Sequence, residues 1–245
     1  KGRSMRIGKT CPIVLLFFNL LVFLIRGPLS GADCNGNGIE DAKDITPQNF
    51  GFSSPSRQAI GELAVVVTAD LNGDGYPDFA TTGGDFDGTV SVLINHGDGE
   101  FPTAKSYVAG SYPRHLIAAD LNSDGRPDLV ATNASDSPGF LVLLNKGDGT
   151  FMEAVKTDLN ASPVALIATD LDGDSDLDIA VLVPEQQAVE LFLNDGGAIL
   201  TLSSWPGPFG SYYVGASPRQ MLAADLNDDS RLDLAVASVG DALSS

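Results

Sequence analysis

Four acidic nine-residue frames carry most of the chemistry available to this chain. Each places oxygen-bearing side chains at positions 1, 3, 5 and 9: Asp70, Asn72, Asp74 and Asp78; Asp120, Asn122, Asp124 and Asp128; Asp170, Asp172, Asp174 and Asp178; Asp225, Asn227, Asp229 and Asp233. Alternate carboxylate and amide oxygens on one tight loop surround a point. Hard cations such as calcium take six to eight oxygens at roughly 2.3–2.6 Å from loops of this kind. The backbone carbonyl of position 7, from Tyr76, Arg126, Asp176 or Arg231, would add a ligand. Position 6 needs backbone freedom for the sharp turn, which Gly75 and Gly125 supply. A single frame reads equally well as a solvated Asp/Asn turn. Four frames whose first aspartates step by 50, 50 and 55 residues are a repeat, and a repeat of this period marks a stacked architecture.

The surrounding residues say what must hold these loops. Each frame has Leu at position 2 and an apolar pair directly after position 9: Phe79-Ala80, Leu129-Val130, Ile179-Ala180 and Leu234-Ala235. Each loop therefore joins two short buried strands. In the second repeat, alternation and turn residues predict strands over 115–119, 129–133, 140–145 and 151–157. The first repeat matches over 65–69, 79–82, 90–95 and 101–108. Gly-Asp-Gly segments at 97–99 and 147–149 suit tight hairpins with positive φ. Small residues precede every loop (Thr68-Ala69, Ala118-Ala119, Ala168-Thr169, Ala223-Ala224), as expected of inner strands crowded about an axis.

These repeats resemble the FG-GAP/VCBS family, whose members include the integrin α-chain head. The resemblance covers residues 50–245 and rests on the fourfold D-x-[DN]-x-D-x-x-x-D frame. It implies an all-β fold, a β-propeller of four-stranded blades, commonly seven, with calcium in several loops. About three and a half blades fit in this chain, so it reads as part of a longer propeller. Residues 50–58 occupy the phase of an outer strand ahead of the first repeat and are expected to complete the last blade.

A second kind of loop spans 33–44. Asp33, Asn35, Asn37, Asp41 and Asp44 stand at positions 1, 3, 5, 9 and 12, with Gly38 at 6 and the Ile39 carbonyl at 7. It resembles the loops of EF-hands, dockerins and thrombospondin type 3 repeats. Aspartate at position 12 in place of the bidentate glutamate of EF-hands implies a weaker or differently shaped site. The reading is a calcium-clipped linker over 33–49, with an unstructured terminus as the alternative.

Before it, Lys1, Arg3, Arg6 and Lys9 precede a 14-residue apolar run, 12–25, and Ser30-Gly31-Ala32 offers small residues for cleavage. That is signal-peptide patterning over 1–32, too short for a spanning helix of about 20 residues. Arg26 leaves a retained anchor as the alternative. With residues 1–32 removed, no membrane span is expected and Cys34 is the one cysteine, so packing and metal must stabilise the fold.

The formal charge of the 245 residues is −18, and residues 33–245 carry nine basic against 32 acidic side chains. Nucleic-acid binding, which needs a basic footprint, is excluded. Fifteen of the acids lie inside the four frames, where a cation would offset them. Ser175 and Ser230 replace glycine at position 6, so loop 3, with five carboxylates including Asp176, and loop 4 are expected to be strained. Loop 4 is expected to bind weakest.

Catalytic patterning is thin. His96 and His115 stand 19 residues apart without a nucleophile motif, and no phosphate loop, HExxH or GxSxG occurs. Asn133-Ala-Ser135 and Asn160-Ala-Ser162 are glycosylation sequons in a eukaryotic source. Residues 205–213 gather Trp205, Phe209, Tyr212 and Tyr213 among Gly and Pro, either as a contact loop or as an elongated connection on a blade edge. The sequence thus predicts a secreted or cell-surface, calcium-stabilised binding or adhesion module, not an enzyme, with an extracellular protein or glycan as partner. The alternative is the non-catalytic or partial propeller of a secreted carbohydrate-active enzyme.

Overall fold

The structure, a computed structural model, describes residues 13–18, 21–26, 65–83, 88–97, 101, 104–134, 137–203, 211–228 and 231–239. Two compact units divide the chain, 1–59 and 60–245. In the first, β1 (Ile13–Phe18) and β2 (Leu21–Arg26) pair antiparallel, Ile13 opposite Arg26 and Phe18 opposite Leu21. Val, Ile and Phe favour such pairing. The loop expected at 33–44 and the strand expected at 50–58 lie outside the described residues. Among the described residues no helix is long and apolar enough to cross a membrane.

The second unit is part of a β-propeller. Blade 1 is a four-stranded antiparallel sheet of β3 (Val66–Ala69), β4 (Asp78–Thr82), β5 (Thr89–Leu93) and β6 (Ala104–Val108) in sequence order. Blade 2 repeats it with β7 (Leu116–Ala119), β8 (Asp128–Asn133), β9 (Gly139–Leu143) and β10 (Val155–Asp158). Blade 3 comprises β11 (Ala165–Thr169), β12 (Asp178–Val183), β13 (Ala188–Asn194) and β14 (Leu200–Leu202). A fifth strand, β15 (Ser211–Tyr213), pairs the other end of β13. The insertion thus splits the outer strand of blade 3 in two; Trp205 and Phe209 lie outside the described residues. Of blade 4 the described strands are β16 (Pro218–Ala224) and β17 (Asp233–Ser238). The strands expected in the first two repeats are present with ends shifted by up to four residues.

The core lies between blades rather than within them. Leu129, Ala131 and Leu143 of blade 2 pack with Ala80, Val90 and Val92 of blade 1. Their alternates Val130, Phe140 and Val142 pack with Ile179, Val181 and Phe192 of blade 3. Ala180, Leu182 and Val189 then meet Met221 of blade 4. Both faces of a strand such as β8 are buried along its whole length, which is why the central strands read as apolar runs. Edge-to-face rings join neighbouring blades: Phe140 and Phe192 at 5.0 Å, and Tyr107 and Phe151 at 5.5 Å.

Position 2 of the first three frames packs into the junction with the following blade. Leu71 and Leu121 are each 1% exposed, in the cores shared with the following blade, and each such burial stabilises the fold by roughly 1.5–3 kcal/mol. Leu226 in the last frame is 65% exposed, with no following blade over it among the described residues. The frame therefore fixes its loop to the next blade as well as to its own.

Candidate metal loops

Each frame sits between the first and second strands of its blade, and position 9 is the first residue of the second strand. Position 1 folds the loop. Asp170 accepts the N–H groups of Gly173 on Oδ1 (2.7 Å) and Ser175 on Oδ2 (3.1 Å). Asp120 accepts Asp124 (3.1 Å) and Gly125 (2.7 Å), and Asp70 accepts Gly73, Asp74 and Gly75 at 2.8–3.2 Å. Position 3 uses one oxygen in the same way in all three loops: Asn72, Asn122 and Asp172 Oδ1 accept the position 5 N–H at 3.0–3.2 Å. Position 5 then accepts the N–H of position 7 at 2.9–3.0 Å. Those bonds, with the Asn72 amide second, hold the exposed Asp74 carboxyl below its ordinary range.

The loop has two left-handed positions. At position 6, Gly75, Gly125 and Ser175 have φ of 87°, 81° and 80°, so Ser175 occupies the strained conformation expected of it. Position 4 is left-handed as well, at Gly73, Ser123, Gly173 and Asp228. Ser230, at position 6 of loop 4, and Asp229 lie outside the described residues. In that loop Leu226 N–H donates to Asp233 at 3.0 Å and Asn227 N–H to Asp225 at 3.3 Å.

The oxygens of Asp170, Asp172 and Asp174 lie within 4.8 Å of one another. Each carboxylate has about four lone-pair sites, and Asp170 commits two to N–H groups, one per oxygen. An all-oxygen set of this kind suits a hard cation rather than a soft one, so the residues fit calcium. Loops 1 and 2 carry the same backbone arrangement with asparagine at position 3.

Position 9 is placed differently from the other three. Asp78, Asp128 and Asp178 are fully buried. One oxygen of each accepts the position 2 N–H (Leu71 2.8 Å, Leu121 3.1 Å, Leu171 2.7 Å). The other accepts the N–H of Asn95 (2.7 Å), Asn145 (2.7 Å) or Asn194 (2.9 Å), just past or at the end of the third strand. Burial pushes Asp128 up to about 6, against the two N–H donors and with Asp124 and Asp120 adding to the rise. Asp178 is raised for the same first reason. Position 9 clamps the loop to its sheet from below, while positions 1, 3 and 5 open to solvent.

Position 7 side chains leave the loop. A Cβ on Gly97 would meet the Tyr76 ring at 2.5 Å, one on Gly147 the Arg126 guanidinium at 2.6 Å, and one on Gly196 the Asp176 carboxylate at 2.6 Å. Arg126 Nη1 also donates to the Lys146 carbonyl at 3.1 Å. Asp176 accepts the Ser123 hydroxyl of the preceding loop at 3.2 Å. Of the five carboxylates in loop 3, three are therefore together, Asp178 lies beneath them and Asp176 turns toward loop 2.

The residues that the frames alone did not reveal are Asn95, Asn145 and Asn194. Each follows position 9 by 17, 17 or 16 residues and opens an Asn-x-Gly turn whose glycine N–H returns to the Asn Oδ1. Their recurrence was the available signal. His115 bridges two blades: its Nδ1 accepts the Leu166 N–H of blade 3 at 3.3 Å, and burial lowers its pKa. Asn133 is buried, its amide tied to Ser111 and Ser137, whereas Asn160 of the second sequon is exposed.

Comparison with known proteins agrees with this repeat. The model of the FG-GAP-like repeat matches residues 70–131, 120–181 and 170–236. A solved structure of an Agrocybe aegerita lectin, described as recognising non-reducing terminal N-acetylglucosamine, is similar at 26% identity and a TM-score of 0.40. The similarity covers 61% of this chain, which spans 42% of that one, and at this TM-score it carries no functional weight. No curated protein matches the sequence.

Proposed function

We propose that this chain, which belongs to the FG-GAP-like repeat family, is an exported, calcium-binding, non-catalytic propeller module that binds an extracellular protein or glycan. The observation that carries the metal reading is the convergence of Asp170, Asp172 and Asp174 within 4.8 Å on a loop shape shared with loops 1 and 2. Asp70, Asn72 and Asp74, Asp120, Asn122 and Asp124, and the loop 3 triad would hold the ion, and the backbone carbonyls of Tyr76, Arg126 and Asp176 at position 7 would add ligands. Asp78, Asp128 and Asp178 orient these sets from beneath. The ion supplies positive charge where carboxylates crowd, including a buried Asp128 whose ionised form is otherwise disfavoured. Its role is to hold the loops and, through Leu71, Leu121 and Leu171, the blade junctions. The basic and apolar patterning of residues 1–25 supports export, and the acidic surface fits a calcium-rich exterior.

Calorimetric titration of calcium into the full chain tests the metal reading. Extracellular calcium modules bind at about 10⁻⁴–10⁻³ M, and sites in that range are expected here. The combined substitution Asp170→Ala, Asp172→Ala and Asp174→Ala should remove one of them. A folded chain that takes up no calcium contradicts the proposal. Binding of the calcium-loaded chain to arrayed glycans and matrix proteins, lost in chelator, is the expected sign of the module's role.

A further inference from the structure

Resting on that reading of the loops, we infer that the metal loops are coupled around the propeller by a buried hydrogen-bond relay, with Asn145 and Asn194 as its positioning residues. The relay runs without a break through the first three blades. Asn95 N–H donates to Asp78 Oδ1, and Asp78 Oδ2 accepts the Leu71 N–H. The Leu71 carbonyl accepts Asn145 Nδ2 of the next blade at 3.0 Å. Asn145 N–H donates to Asp128 Oδ1 at 2.7 Å, and Asp128 Oδ2 accepts the Leu121 N–H at 3.1 Å. The Leu121 carbonyl accepts Asn194 Nδ2 of the third blade at 2.6 Å. Asn194 N–H donates to Asp178 Oδ1, and Asp178 Oδ2 accepts the Leu171 N–H.

Loops 1 and 2 are thus gripped at position 2 on both sides of one residue: the N–H by the loop's own Asp, the carbonyl by the Asn of the following blade. Asn145 also donates to the Pro127 carbonyl at 2.9 Å, and Asn194 to the Leu177 carbonyl at 3.0 Å, so each amide ties two successive loops together. Gly149 N–H adds a second bond to the Leu71 carbonyl at 3.1 Å. The side chains of Leu71 and Leu121 are sealed in the same junctions. Position 2 lies between ligand positions 1 and 3. A cation that fixes positions 1 to 5 therefore fixes the acceptor that the next blade's Asn must find. In that buried setting hydrogen bonds strengthen one another, and leaving one donor unpaired is costly. Ordering loop 2 pre-orders Asn194, Asp178 and loop 3, and by linkage loop 3 orders loop 2 equally.

The test follows amide exchange of loops 2 and 3 across a calcium titration of the full chain. Silencing loop 2 with Asp120→Ala and Asp124→Ala should raise the calcium midpoint of loop 3 by about fivefold or more, the lower end of typical allosteric coupling. Silencing loop 3 with Asp170→Ala and Asp174→Ala should raise that of loop 2 by the same factor. In Asn194→Asp, which keeps the Gly196 acceptor and replaces the Nδ2 donors with a carboxylate oxygen that the Leu121 and Leu177 carbonyls cannot bond, the midpoint of loop 3 should depend on loop 2 by less than about twofold. Midpoints that ignore the neighbouring loop in the otherwise unaltered chain overturn the coupling, even if Asn194→Asp fails to fold. Undiminished dependence in Asn194→Asp overturns the relay as its route. Calcium protection absent from every loop overturns the metal reading, and the coupling with it.

Discussion

Ser175→Gly should stabilise this protein, although it removes atoms. Ser175 stands at position 6 of loop 3 with φ at 80°, where loops 1 and 2 place Gly75 and Gly125 at 87° and 81°. A left-handed backbone costs an L-residue roughly 1–2 kcal/mol. Glycine relieves that strain but loses about 0.5–1 kcal/mol through the greater freedom of its unfolded chain. The net gain is about 0.5–1 kcal/mol, or a rise in Tm of roughly 1–4 °C for a domain of this size. The N–H that donates to Asp170 survives the change, and the side chain is exposed, so no packing is lost. The reverse change is a control. A Cβ on Gly125 would meet nothing within 4 Å, so Gly125→Ser introduces strain without a clash and should cost a similar amount. Thermal and urea unfolding of both variants, in saturating calcium and in chelator, would decide it. A Ser175→Gly protein no more stable than its parent in either buffer refutes the strain argument.

Four further outcomes follow from the same geometry. Asp120→Ala should remove part of the stabilisation that calcium confers, about 1.4 kcal/mol for one site at tenfold excess over Kd, as read from Tm. Asp225→Ala should remove less. His115 is held neutral by burial and accepts the Leu166 N–H, so its contribution is present above its ordinary pKa near 6.5 and is lost as pH falls below that value. His115→Gln, which accepts but does not titrate there, should lose less stability between pH 7.5 and pH 5 than the parent; an equal loss assigns the pH effect elsewhere. A Cβ at Gly139 would sit 2.2 Å from the Thr157 carbonyl oxygen across the β9–β10 pair, so Gly139→Ala should cost about 1–3 kcal/mol by denaturant unfolding.

The period of the frames made the architecture readable, because a loop bounded by Leu and an apolar pair has to join two buried strands. The inner strands, the Gly-Asp-Gly hairpin at 147–149 and the strain at Ser175 were all legible for that reason: each is a local property of backbone or pattern. What sequence spacing does not encode is direction. Asp78, Asp128 and Asp178 carry the same residue type as positions 1 and 5, but opening the second strand buries them. Asp176 added to the apparent charge of loop 3, yet it leans on Gly196 and Ser123. Position 4 hid its left-handed backbone because serine and aspartate stand there in loops 2 and 4, and Asp tolerates that region. Asn145 and Asn194 make their decisive bonds 74 and 73 residues away in the preceding blade, a distance that only the stacking of blades closes.

The most direct test of the account is a thermal melt of the full chain in millimolar calcium, in excess chelator and in magnesium. Metal in the repeat loops predicts a calcium-specific rise in Tm that magnesium does not reproduce and that the combined loop 3 substitutions reduce. A folded chain whose Tm is the same in all three buffers would contradict the account and leave the four frames as acidic turns.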